Sequence, residues 1–302
     1  MEELTGSAAC TRRQFLKQAG VVAGASAVVL ATGAALDDQG AQAATAGAAA
    51  RNDTIRMVQD LERALTRPIE TRRWAMLIDP RRCIGCHACT VACIAQNGLP
   101  VGVSYRTVPE VESGVFPAVE RFFMPANCMQ CENAPCIAAA NAVAAGSMGR
   151  RPDGIVTIDY TRMKGQRVFK AAKKACPYAT ALYYDSGRNW TAGTPALQPY
   201  DKRPSHEYGA TWSRAKTKGA TRKCHFCSDR IDAGMLPACV STCTGQAMHF
   251  GDLNDPDCLV NERLGTTETM RIENGASTAP RVIYVSESLA ETPAMTCKSC
   301  HI

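Results

Sequence analysis

Twelve cysteines fall at spacings that suit iron–sulfur ligation. Cys83-Ile-Gly-Cys86-His-Ala-Cys89-Thr-Val-Ala-Cys93 opens the series. Cys128-x2-Cys131-x4-Cys136 follows, with Cys176-Pro177 further on, and Cys224-x2-Cys227-x11-Cys239-x3-Cys243 closes it. A [4Fe–4S] cube needs four thiolates. A tight C-x2-C-x2-C loop wraps three corners, while its own fourth cysteine points away and serves a neighbouring cube. Zinc ribbons also use C-x2-C pairs, but the C-x2-C-x2-C-x3-C run does not suit a lone tetrahedral ion. These residues point to electron transfer.

The remaining elements must position those thiols. Strand-like runs flank the cysteine groups: Trp74–Ile78 before the first, Gly154–Ile158 and Ala181–Tyr184 on either side of Cys176, and Ala247–Phe250 after Cys243. Ile55, Val58, Leu61 and Leu65 recur at helical spacing between Asp53 and Arg67, with Pro68 as a stop. Residues 186–222 are rich in Gly, Pro, Lys and Arg and read as a long surface loop. In the tail only Val282–Val285 is strand-like. The groups at 83–93 and 224–243 bracket the middle ones, as two nested two-cluster modules would. The expected fold is α+β, two ferredoxin-like modules with long irregular loops. The first would take residues 74–127 and 223–255, and the second residues 128–222.

The chain has 302 residues and sixteen cysteines, too long for a disulfide mini-protein, so metal ligation is the better use of the thiols. The net charge of +6 is ordinary for a solvated surface, and no nucleic-acid motif accompanies it. Thr11-Arg12-Arg13-Gln14-Phe15-Leu16-Lys17 carries twin arginines. An Ala/Gly-rich apolar stretch follows from Ala19 to Leu36, and Ala41-Gln42-Ala43 offers a cleavage site. Residues 1–43 thus read as a twin-arginine signal, the export route for folded proteins, which suits clusters assembled before export. An uncleaved anchor is the alternative. Residues 44–73 form a low-complexity linker and the helix.

From Trp74 to Leu253 the chain resembles the four-cluster iron–sulfur subunits of membrane-associated oxidoreductases of the polysulfide, nitrite and dimethyl sulfoxide reductase type. The phrases that carry the resemblance are Cys83-Ile-Gly-Cys86, Cys128-Met-Gln-Cys131-Glu-Asn-Ala-Pro-Cys136, Asp153-Gly-Ile-Val and Gly251-Asp-Leu-Asn-Asp255. In that family the first cysteine group shares ligands with the fourth, and the second with the third. The resemblance therefore implies three ligand sets: Cys83, Cys86, Cys89 and Cys243; Cys93, Cys224, Cys227 and Cys239; and Cys128, Cys131, Cys136 and Cys176. It also implies a fourth set, which here reads Ala140, Gln166, Phe169 and Ala172. All four missing ligands belong to one cube, whereas random loss would scatter them. The expectation is three [4Fe–4S] clusters, with Met163, Val168 and Phe169 filling the vacated volume and the basic stretch Lys164–Lys174 crossing it as a helix. A three-cluster pattern also resembles the exported iron–sulfur subunit of the sulfite-reduction-associated complex.

Four cysteines remain. Cys10 lies in the signal, and Cys258 is read as a structural or surface thiol. Cys297-Lys-Ser-Cys300-His301 has the form of a haem c attachment motif, two thioethers and an axial histidine, but also that of a disulfide or free pair. His87 and His225 lie inside cluster loops, where N–H donors near sulfur tune potential. His206 and His249 are read as surface or packing residues. No catalytic constellation stands out.

The reading is therefore a periplasmic electron-transfer subunit and not an enzyme. The resemblance implies an integral membrane quinone-interacting subunit as partner, with a multihaem cytochrome c as a further candidate. A free-standing soluble polyferredoxin shuttle and a catalytic reductase subunit are the rival readings.

Overall fold

In the computed structural model the described residues are 52–99, 103–117, 119–178, 181–186, 218–272 and 277–286. The motif Cys297, Cys300 and His301, the twin arginines, Cys10 and His206 lie outside them.

The helices are α1 (Asp53–Leu65), α2 (Ala88–Asn97), α3 (Pro135–Val143), α4 (Gln166–Ala175), α5 (Ser228–Asp232), α6 (Ala238–Ser241) and α7 (Leu259–Thr266). The strands are β1 (Trp74–Ile78), β2 (Glu110–Ser113), β3 (Glu120–Phe123), β4 (Met148–Arg150), β5 (Val156–Ile158), β6 (Leu182–Tyr184), β7 (Thr221–Lys223), β8 (Met248–Asp252), β9 (Thr269–Met270) and β10 (Val282–Val285).

The main sheet has the order β8-β1-β10-β9. β1 pairs antiparallel with β8 and parallel with β10. Every residue of β1, β8 and β10 is buried, which explains why Trp74–Ile78 reads as one unbroken apolar run instead of an alternation. Trp74 stacks on Phe250 at 5.3 Å, and Phe226 meets Phe250 edge-on at 5.5 Å. Since Phe226 sits between Cys224 and Cys227, this aromatic file ties a cysteine loop directly to the sheet.

The family-like phrases have structural uses. Asp153 is buried, and accepts hydrogen bonds from Trp74 Nε1 at 3.0 Å and from Arg151 at 2.9 Å. Asp252 accepts the Arg73 N–H at 2.7 Å and pairs with Arg67. Gly251 has no room for a side chain, because a Cβ there would lie 2.3 Å from Cys258 Sγ. Cys258 is therefore a buried packing thiol.

Three expectations need correction. Helix α1 forms, capped by Asn52, which accepts from Thr54 N and Ile55 N. Its buried face, however, is Met57, Asp60, Leu61 and Ala64, while Ile55 is exposed. The rotation follows from Asp60, whose carboxylate accepts the Leu259 N–H at 2.8 Å and so caps α7, where no side chain of the N-cap residue does. The surface loop expected over 186–222 ends earlier: Thr221–Lys223 is a buried strand paired with β6. The region expected as a tail from 256 contributes α7, β9 and β10, and β10 lies inside the main sheet.

Candidate electron-transfer sites

The structure sorts the twelve cysteines into three neighbourhoods. Cys83, Cys86, Cys89 and Cys243 line one cleft together with His87, Val108, Pro125 and Met248, which we call site 1. Cys93, Cys224, Cys227 and Cys239 line a second, site 2, with Met76, Asn97, Arg106, Asn127 and His225. Cys176 lies within electrostatic reach of Cys128, Cys136 and Cys131, which together make site 3. Site 2 adjoins both others: Cys89 feels Cys239, and Cys224 feels Cys128.

Helix geometry explains the exchange between sites 1 and 2. Cys89 and Cys93 lie four residues apart on α2, so they share a helix face about 6 Å apart along the axis, one for each cleft. Cys239 and Cys243 repeat that interval on and just after α6, which packs against α2. The cysteine loops use one backbone device. The third position of the first C-x2-C step in each of the three cysteine groups is left-handed: Gly85 at φ +67°, Gln130 at +49° and Phe226 at +55°. Such a turn directs successive N–H groups inward, toward negative charge. Phe226 N donates to Cys224 Sγ at 3.4 Å, and Ala247 N donates to Cys243 Sγ at 3.2 Å. At Gly85 only glycine fits, since a Cβ would lie 2.6 Å from the Phe123 ring.

The donor chemistry fits [4Fe–4S] groups. Burial pushes the thiols of Cys89 and Cys136 up to about 11 and that of Cys176 up to about 12, although backbone N–H groups oppose the rise at Cys136 and Cys176. Clustered, buried thiols of this kind become thiolates only when a cation takes the proton's place. Among the described residues no cysteine is in a disulfide, and no three His, Cys, Asp or Glu side chains converge as on a single metal ion. Donors aim at sulfur from several elements: Asn127 Nδ2 reaches Cys224 Sγ at 3.5 Å, and Arg106 Nη2 reaches Cys239 Sγ at 3.4 Å. Arg106 Nε and Nη1 and Asn127 Oδ1 are buried with no hydrogen-bond partner among the described residues.

His225 lines site 2 but does not donate to sulfur as expected. Its Nδ1 accepts from Ser228 N at 3.2 Å and its Nε2 faces Asn97 Oδ1 at 3.0 Å. Burial, then Lys223 and Arg222, pushes its pKa down to about 3, so the ring is neutral. His87 sits on the rim of site 1 in a left-handed conformation.

Of the positions of the implied fourth set, Ala140 and Ala172 lie in a small core, Phe169 is half-buried and Gln166 is exposed. Ala140 and Ala172 are fully buried where α3 packs on α4, together with Val168, Met163 and Met148. Phe169 packs at the edge of this cluster and tilts against Tyr184. Cys136 belongs to the same cluster, which places it directly beside site 3. Several site residues had no signal in the sequence. Thr278, from the supposed tail, hydrogen-bonds Cys131 and Tyr178 Oη. Gln130 joins Val156 N, at 2.8 Å, to Cys224 O, at 2.7 Å. Asn127 and Lys223 each immediately precede a cysteine group, the one cue available for them. Arg106 had none.

Residues 119–195 and 208–253 match the 4Fe-4S dicluster domain, and residues 74–93 match the 4Fe-4S binding domain. A selenate reductase subunit of Mesobacillus selenatarsenatis is 43% identical, over 77% of this chain and 78% of its own. A tetrathionate reductase subunit of Salmonella typhimurium is 34% identical over 70% and 72%. The arsenate respiratory reductase iron-sulfur subunit of a Shewanella species is 30% identical over 70% and 96%. With these relatives and the cysteine architecture together, the protein belongs to the family of ferredoxin-type iron–sulfur electron-transfer subunits of reductase complexes.

Proposed function

We propose that this subunit relays electrons through three [4Fe–4S] clusters, in the periplasm, between a quinone-linked membrane subunit and another redox subunit. The observation that supports it best is the sorting of twelve cysteines into three sets of four beside a fourth position packed with alanine and valine. A [4Fe–4S] group, when bound, supplies reversible one-electron exchange. Cys83, Cys86, Cys89 and Cys243 would hold the first, Cys93, Cys224, Cys227 and Cys239 the second, and Cys128, Cys131, Cys136 and Cys176 the third. The protein contributes apolar walls that keep water out and N–H donors that favour negative sulfur. Site 2 would stand in the middle of the row, and the vacated position beyond site 3 at its end. Sites 1 and 2 would form one ferredoxin-like module, and site 3 the remnant of a second.

The named relatives serve selenate, tetrathionate and arsenate reductases, so we infer a catalytic partner acting on an oxidised oxyanion of sulfur, selenium or arsenic. Among the described residues no helix is long and apolar enough to cross a membrane. Contact with quinone would then be made by an integral membrane subunit, and a multihaem cytochrome c is the candidate for the other end. Anaerobic native mass spectrometry of the exported protein tests the reading. Three clusters on a polypeptide starting near Ala44 is the expected result; two or four would overturn it. The same spectrum decides between a haem adduct at Cys297 and Cys300 and a disulfide or free pair. An Arg12→Lys, Arg13→Lys double variant should stay in the cytoplasm, and its export would remove the twin-arginine route.

A further inference from the structure

A buried cation without a carboxylate is costly, because the lost hydration is not repaid. Two such cations lie among the cysteines. Arg106 is 1% exposed. Its Nη2 touches Met76 Sδ at 2.9 Å and Cys239 Sγ at 3.4 Å, while its other two nitrogens have no partner among the described residues. The groups that act on it most strongly are cysteines alone: Cys239, Cys89 and Cys224. It acts in turn on Cys83 and Cys89 of site 1 and on Cys93 and Cys224 of site 2. Lys223 is also 1% exposed. Its Nζ donates to Cys224 O at 2.8 Å and to Val156 O at 2.5 Å, and Val156 packs in the same cluster as Cys136 of site 3, whose thiol the Lys223 charge reaches.

Arg222 shows what an ordinary buried arginine looks like in the same protein. Its guanidinium is fully engaged, by Tyr105 Oη at 2.7 Å, Asn97 O at 2.6 Å and the Asp185 carboxylate at 3.3 Å. Its charge is answered locally. Among the described residues, the charge of Arg106 is answered by cysteine and methionine sulfur, and that of Lys223 by backbone carbonyls.

We propose that Arg106 and Lys223 are fixed counter-ions of the relay, Arg106 raising the reduction potentials of the groups at sites 1 and 2 together, and Lys223 that at site 3. Reduction adds an electron to a group already ringed by four thiolates. A fixed cation a few ångströms away favours the reduced form, and the dry surroundings leave that attraction poorly screened. Placing one cation where two sites adjoin lifts both at once, which keeps neighbouring potentials close and the passage between them nearly level.

The inference rests on the three-cluster reading, and one experiment separates the two. Arg106→Gln, Lys223→Met, Arg222→Gln and the conservative Arg106→Lys would be purified anaerobically, assayed for iron and titrated with EPR detection. Cys176→Ser identifies the site 3 signal. Arg106→Gln should keep its iron and lower two of the three midpoints, and Arg106→Lys should restore them. Lys223→Met should lower the site 3 midpoint most. Arg222→Gln should lower thermal stability and leave all midpoints in place. Full iron with unmoved midpoints in both Arg106→Gln and Lys223→Met would overturn the proposal. Equal shifts in Arg222→Gln would overturn it as well. If Arg106→Gln loses iron, Arg106→Lys and Lys223→Met decide by the same midpoints. Wild-type protein holding fewer than three clusters would instead remove the reading beneath it.

Discussion

Helix α2 carries Cys89 and Cys93 four residues apart, and Cys239 and Cys243 repeat that interval around α6. Helices α3 and α4 use the same interval with other residues: Cys136 and Ala140 on one, Ala172 and Cys176 across the end of the other. In the first pair both steps end in a thiol, and each step gives one thiol to each of two clefts. In the second pair one thiol of each step is a methyl group. There the helices close on Ala140 and Ala172, and Val168 and Met163 complete an apolar core. On the three-cluster reading proposed above, this is the scaffold of a second pair of sites with half its thiols replaced by packing residues. A ligand lost with nothing to replace it would leave a void whose cost grows with its volume; here the void is filled.

The largest test of that comparison removes a ligand from each half. Cys93→Ser should empty site 2 and break the row in its middle, abolishing transfer from one end to the other. Cys176→Ser should empty site 3 while sites 1 and 2 keep their EPR signals. Iron analysis and EPR check both. If either variant loses all its iron, the halves are one cooperative unit and the comparison fails.

Filling the alanine contact comes next. Ala172→Leu forces a larger, branched side chain into a fully buried position and should cost about 1–3 kcal/mol. The Tm of the loaded protein falls, and the site 3 signal weakens before the others. Restoring all four thiols, with Ala140→Cys, Gln166→Cys, Phe169→Cys and Ala172→Cys, should not raise the iron content, because Val168 and Met163 still occupy the space. A fourth cluster in that variant would show that the packing is a lining and not a plug.

Gly85 probes the intact half. Alanine there meets a left-handed backbone and the Phe123 ring 2.6 Å away, and should cost about 1–2 kcal/mol. Iron at site 1 should become more labile to chelators, while sites 2 and 3 hold theirs.

The contrast also explains what could be read from the sequence. Iron ligation fixes both residue type and spacing, so the twelve thiols stood out in the residues, whereas the four positions without them came only through the family resemblance. Helix α4 was expected too, from the basic stretch Lys164–Lys174 crossing the position that the resemblance left without thiols. Arg106, Gln130 and Thr278 were not. Each acts through contacts with residues distant in the chain, and such contacts leave no periodic trace. Thr221–Lys223 was hidden for another reason. A Thr-Arg-Lys triplet does not resemble a buried strand, and it is one only because Arg222 and Lys223 find internal acceptors. The buried face of α1 was misplaced because Asp60 is spent on capping α7.

That same corner gives the smallest predicted effect. His249 on β8 lies 3.0 Å from Asp53 on α1, and Arg263 of α7 reaches the same carboxylate at 2.7 Å. Burial lowers the His249 pKa, and the Asp53 hydrogen bond does not reverse this. Burial alone would raise Asp53, but the His249 hydrogen bond and then the Arg263 charge bring it below its ordinary value. Both groups therefore bind fewer protons folded than unfolded, so both make stability fall as pH falls. The His249 contribution is intact above about pH 6.5, its unfolded value, and is lost as pH drops through the lower folded value. The Asp53 contribution is lost only below about pH 3.8. Denaturant midpoints should decline modestly from pH 7.5 to 5.5, and His249→Gln should flatten that slope. Hydrogen exchange should locate the loosening in α1 and α7 and leave the α3–α4 core unchanged, since the core depends on methyl packing and no titrating contact. Equal loosening of both regions would mean that acid acts on the thiolate sites instead, and that the packed half is no more independent of ionisation than the liganded one.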